Sequence, residues 1–212
     1  MTQCARCGKH VCLEAAFLDM PGGCPMEGEG PLYEESLEEY KKPEIRNIAV
    51  NAAITEAAGY GVWSRLEEIA EFAWRARFNK LGMAFCMGLS KEAARIEKVL
   101  RKLGFEVESA VCKTGRRPKE LLGMRDEDKV RPGTFEVICN PIAQAKLLNK
   151  EKTDLNIVIG LCVGHDTLFF KYSEAPVTVL AVKDRVLAHN PLGAIYSEFY
   201  YSKKLASHRK PT

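Results

Sequence analysis

The stretch NIVIGLCVGHDTLFF, residues 156–170, decides how the fold is read. A short apolar run ends at Cys162, and Asp166 then stands where a helix cap belongs, ahead of a short helix through Phe170. The same texture recurs from Leu81 onward. Strands are expected at residues 83–86, 106–112, 135–139, 156–161 and 177–182, with helices between most of them. A helix over 91–103 carries Ala93, Ile96, Leu100 and Leu103 on one face, with Ser90 as N-cap and Gly104 as C-cap. Asn140 followed by Pro141 starts another, running to Leu148, and Asn190 with Pro191 repeats the device ahead of a last helix to about Tyr200. Short strands alternating with helical segments imply an α/β fold, a mostly parallel open sheet flanked by helices.

Upstream, residues 31–80 read as a helical segment packing on that core. One helix is expected over 44–58. A second carries Leu66, Ile69, Ala70 and Ala73 on one face behind a Ser64–Glu67 capping box, so the two form a hairpin. Residues 1–30 are rich in Cys, Gly and Pro and lack either periodicity. They read as a small Cys-rich metal-binding module ahead of the α/β domain of residues 81–212.

Eight cysteines in 212 residues are more than packing requires and too few for a disulfide scaffold. Cys4 and Cys7 arrive where a signal peptide would sit, so a cytoplasmic chain with reduced thiols is expected. The longest apolar run is far short of the ~20 residues of a membrane span. A net charge of +3 is too balanced to argue for nucleic acid. Its distribution is uneven: seven acids lie within residues 27–44, seven bases against four acids within 113–133, and four bases and no acid in the tail 201–212. The basic stretches read as solvated loop and tail, with a phosphate-binding lid as the alternative for the first.

The cysteines divide into two sets. Cys4, Cys7, Cys12 and Cys24 are separated by two, four and eleven residues. A two-residue spacing followed by Gly8 suits a knuckle in which backbone amides point at thiolates that share a metal. Closed by Cys12 and Cys24, with His10 as an alternative to Cys12, the set favours structural zinc. An iron–sulfur cluster is the alternative, because Cys24–Pro25 is similar to the ending of bacterial ferredoxin motifs. The second set, Cys86, Cys112, Cys139 and Cys162, has no local spacing motif. Each instead falls at the C-terminal end of an expected strand, and in a parallel sheet those ends share the edge where ligands bind. Buried thiols that merely pack are the bland alternative. Four in the same structural position favour a cofactor-binding or reactive-thiol site, an iron–sulfur cluster or a thiol redox centre.

Polar groups gather at the same edge. His165 and Asp166 follow Cys162, and Lys183, Arg185, His189 and Asn190 follow the last strand. His165 and His189 are candidate acid–base groups or metal ligands, with loop hydrogen bonding the alternative for His189. Lys183 and Arg185 are candidate anion binders, and Asp184 between them is a candidate ion-pair partner.

The chain resembles, over nearly its whole length, a family of functionally uncharacterised prokaryotic proteins described as predicted metal-binding. The resemblance rests on the cysteines from Cys4 to Cys24, on FCMGLSKEA at 85–93, on CNPIAQAKLLN at 139–149, and on GLCVGHDTLF with APVTVLAVKDRVLAHNP. It implies a metal-binding property and no particular reaction. The expected function is thus a metalloprotein with a zinc site and a Cys-lined edge acting on a small molecule or redox partner. A metal-sensing or buffering protein is the first alternative. A zinc-ribbon nucleic-acid binder using Arg116, Arg117 and the tail ranks last, because few aromatics stand near those bases.

Overall fold

The computed structural model describes residues 4–13, 20–205 and 207. The chain divides into two compact units, residues 1–58 and 59–212. In the first, two short 3-10 turns, Cys4–Arg6 and Val11–Leu13, precede helices α1, Gly30–Glu39, and α2, Pro43–Gly59. Pro31 in the first turn of α1 and Pro43 at the start of α2 suit positions whose N–H has no intrahelical partner.

The second unit is an α/β domain. Its sheet has four strands, β1 Lys80–Phe85, β2 Glu106–Val111, β3 Leu155–Ile159 and β4 Val177–Ala181, in the order β2-β1-β3-β4 with every pair parallel. The order turns outward in both directions from the central pair β1 and β3, and so creates a crevice at their C-terminal ends. Helices α3, Arg65–Ala76, and α4, Ser90–Lys102, belong with one face of the sheet, where Leu81, Met83, Leu155, Ile157 and Ile159 meet Ile69, Ala73, Ala93 and Leu100. The other face carries Ala84 and Val158 against Ala145 and Leu148 of α5, Pro141–Lys150, and Phe169 of α6, His165–Tyr172. Burial on both faces explains why the central strands read as continuous apolar runs.

Two local devices set the register. Glu67 accepts from the N–H of Ser64 at 2.7 Å and from its hydroxyl at 2.6 Å, the expected capping box at the start of α3. Gly82 pairs with Asn156, and a Cβ on Gly82 would lie 1.9 Å from Asn156 Oδ1. That buried oxygen accepts from the Thr153 hydroxyl at 2.8 Å, so the glycine makes room for a polar link inside the sheet.

Several expectations are corrected. Residues 135–139 are not a strand. They make an isolated antiparallel bridge, Pro118 to Val137, because the chain between β2 and α5 folds back on itself. Ser90 is the first residue of α4 rather than its cap, since a 3-10 turn, Met87–Leu89, runs directly into the helix. Asp166 is likewise inside α6, whose cap is Gly164 at φ +82°. The last helix is broken into a short α7, Gly193–Tyr196, and a π-helical stretch, Phe199–Leu205. The rest of the tail's expected positive charge, Arg209 and Lys210, lies outside the described residues. Among the described residues no helix is long and apolar enough to cross a membrane.

Candidate thiol site at the sheet edge

The cysteines of the second set arrive at one edge by continuing the parallel ladder. Cys86 N–H donates to Ile159 O at 3.1 Å and Cys112 N–H to Phe85 O at 2.9 Å, which places both thiols one residue beyond β1 and β2. Cys139 comes by another route. Residues 113–138 leave the sheet and return, and Asn140 N–H then donates to Cys112 O at 2.7 Å. The Asn140 side chain caps α5 through Ala143 N–H at 3.0 Å, so Cys139 sits just ahead of a helix N-terminus. Cys162 follows β3 after Gly160, whose φ of +62° turns the chain toward α6.

Three of the four sulfurs meet. The Cys112 thiol is within hydrogen-bonding reach of both Cys86 and Cys139, and it also accepts Met87 N–H at 3.3 Å. This shared donor holds Cys86 down to about 4 and Cys139 down to about 5. Lesser contributions at Cys86 come from the Gly88 amide and Lys183, and at Cys139 from Lys113 and His165. Cys112 itself is pushed well above the ordinary thiol range by its two sulfur neighbours and by burial. The three titrate as one coupled set that retains its central proton. Cys86 and Cys112 are buried, and Cys139 and Cys162 are partly exposed.

Cations surround the sulfurs. The Arg185 guanidinium donates to Cys162 Sγ at 3.0 Å and feels Cys86 and Cys139 as well, which raises its own affinity for a proton. Lys183 reaches Cys86 across Gly88, where a Cβ would stand in ordinary contact with both, 3.7 Å from Lys183 Nζ and 3.8 Å from Cys86 Sγ. His165 lies in the field of Cys139, and its Nδ1 is buried with no hydrogen-bond partner. Gln144, missed by the sequence reading, is fully buried on α5 and donates from Nε2 to Phe85 O at 3.2 Å and Ala110 O at 2.7 Å. It clamps the strand ends that carry Cys86 and Cys112. A polar residue on the apolar side of the α5 pattern was the available signal.

Three of the expected polar groups hydrogen-bond to the backbone. Asp184 Oδ1 accepts from Val186 and Leu187 N–H at 2.9 and 2.8 Å, and His189 Nδ1 accepts from Asp184 N–H at 3.1 Å, so both close the loop after β4. Asp166 accepts from Thr167 N–H at 2.8 Å. The basic excursion is also not simply solvated. Lys129 is buried between Asp126, Glu120 and the Thr134 carbonyl, and Lys119 pairs with Glu136 at 2.5 Å.

The N-terminal cysteines form a separate arrangement within the first unit. Cys4, Cys7, Cys12 and Cys24, together with His10 and Tyr33, line one cavity of about 370 Å³. Backbone amides of His10 and Lys9 point at the Cys7 sulfur and lower its proton affinity, as a knuckle requires. Among the described residues, no group of three or more Cys, His, Asp or Glu in either unit stands as a ready-made metal shell.

Comparison with known proteins places the molecule. A model of the family described as protein of unknown function DUF1847 matches residues 24–180. The chain belongs to the DUF1847 family. A relative, an uncharacterized protein of Methanocaldococcus jannaschii, is 43% identical over 203 residues, covering 96% of this chain and 98% of that protein. Neither description speaks of a metal or a reaction. The DUF1847 match runs from Cys24 through β1, β2 and β3 into β4 and includes all four edge cysteines.

Proposed function

We propose that this DUF1847 chain is a two-site thiolate protein whose sheet edge is a thiol redox centre acting on a small anionic molecule. The observation that carries the reading is the packing of Cys86, Cys112 and Cys139, from three separate parts of the chain, into one cluster at the edge where Arg185 holds Cys162 and Lys183 flanks Cys86. Packing alone does not call for cations around thiols. A protonated central thiol between two sulfurs poised as thiolates is a donor set ready to exchange electrons through sulfur. Lys183 and Arg185 supply the charge that draws an anion to it, and His165 is the adjacent proton carrier.

The N-terminal set is the structural partner in this proposal. Four thiols line one cavity with two amides directed at Cys7, and zinc would draw these donors, not yet arranged as a closed shell, into a structural site. Bound zinc would tie together a segment whose described residues contribute nothing to the buried apolar clusters.

Anaerobically purified protein tests both halves. The expected result is one zinc per chain, no iron or acid-labile sulfide, and a reversible two-electron oxidation of the edge thiols by mild oxidants. Stoichiometric iron and sulfide lost on Cys112→Ser would overturn the thiol reading in favour of a cluster. Edge thiols inert to every oxidant in folded protein would leave packing as their role.

A further inference from the structure

The three contacting sulfurs differ in access, and that difference assigns an order of events. Cys112 is 3% exposed and Cys86 9%, whereas Cys139 is only partly buried. Cys139 packs against the cluster that holds Cys112, and the 2.7 Å backbone bond from Asn140 N–H to the Cys112 carbonyl fixes the two residues side by side. Cys162 is engaged by Arg185. An incoming molecule therefore meets Cys139 first, and the sulfur standing behind it is Cys112.

We propose, building on the thiol reading, that the substrate class is a small disulfide carrying negative charge, with Cys139 as the attacking thiolate and Cys112 as the resolving thiol. Cys139 Sγ attacks one sulfur of R–S–S–R′, forming a mixed disulfide with R and expelling R′S⁻. The Cys112 proton passes to R′S⁻, and the freed Cys112 thiolate attacks Cys139 Sγ. The mixed disulfide breaks, RS⁻ leaves and takes a proton from solvent, and a Cys112–Cys139 disulfide remains. The substrate is reduced by two electrons and the protein dithiol is oxidised by the same two. Lys113, which contacts Cys139, and Arg185 supply the positive charge that the anionic groups of the substrate meet. His165, whose Nδ1 is buried without a hydrogen-bond partner, lies in the field of Cys139 and takes no part in the bond exchange itself.

The test is a single turnover of the reduced full chain with the disulfide of thionitrobenzoate, an aromatic disulfide bearing two carboxylates, followed by peptide mapping. The expected product is a Cys112–Cys139 cross-link with no retained adduct on either residue. Cys112→Ser is expected to trap the reagent on Cys139, and Cys139→Ser to abolish both the cross-link and rapid reaction at the edge. A cross-link mapped to Cys86–Cys112 in the unaltered protein, or rapid edge reaction persisting in Cys139→Ser, would overturn the proposal while leaving the thiol centre intact. A cluster found by iron analysis would remove the thiol reading itself. The wild-type map needs no variant to fold.

Discussion

A thiol held at about 5 by its neighbours has a reactivity that crosses over with pH, and Cys139 is expected to show it. The sign follows from the lowered value: Cys139 is already thiolate where an ordinary cysteine is not. At about pH 6, a group at about 5 is ~90% thiolate and one at ~8.5 about 0.3%, a ratio of roughly 300. The weaker basicity costs nucleophilicity, with a Brønsted slope near ~0.45 over ~3.5 units, or about 40-fold. The net expectation is reaction about tenfold faster than a free cysteine near pH 6, and slower by a factor on the order of 30 near pH 9, where both are ionised. Pulse alkylation with iodoacetamide across that range, quantified on the Cys139 peptide, reads both limbs. Removing the shared donor in Cys112→Ala should move the inflection upward toward the ordinary thiol value. A Cys139 profile with an ordinary inflection, or one untouched by Cys112→Ala in folded protein, would refute the hydrogen-bonded thiol set.

Gly82→Ala drives a Cβ to 1.9 Å from Asn156 Oδ1 and should cost about 1–3 kcal/mol, read as a fall of roughly 3–10 °C in Tm; an unchanged Tm would refute the required glycine. Asn140→Ala removes the α5 cap and should destabilise by about 1 kcal/mol in denaturant titration, with a larger effect on Cys139 alkylation than on alkylation of the N-terminal thiols. Lys129→Met deletes the cation that gathers Asp126, Glu120 and Thr134, so limited proteolysis should cut within residues 113–138 faster than in the wild type. Cys7→Ser should abolish bound zinc without altering the edge chemistry, and retained zinc would refute the N-terminal site.

The α/β class was legible because four short apolar runs, bounded by caps and glycines, repeat strand-to-helix texture. Asn140 and Ser64 announced their roles through local hydrogen-bonding chemistry that depends little on tertiary context, whereas the α4 C-cap is Leu103, one residue before the expected Gly104. Residues 135–139 misled for the opposite reason. FEVIC has β propensity, but the folding-back of residues 113–138 offers it only Pro118 as a bridge partner, and propensity yields to that topology. Gln144 and His189 show the same limit at the site. Whether a polar side chain serves a strand end, a loop or a ligand depends on what the fold brings opposite it.

Cys139 shows why the edge set could be read despite that error. The expected strand gave the right position for the wrong reason. What returns Cys139 to the edge is the bond between Asn140 N–H and the Cys112 carbonyl, together with the closure of the excursion by Lys119 N–H to Glu136 O and Ile138 N–H to Arg117 O. The excursion therefore begins beside one member of the reacting pair and ends beside the other. Its internal ion pairs become part of the site's geometry: loosening Lys129 should disturb the approach of Cys139 to Cys112 at a distance, without touching either sulfur. If Lys129→Met opens the excursion to protease and yet leaves the Cys139 pH profile unchanged, the Asn140 bond and the α5 cap alone hold the two thiols together.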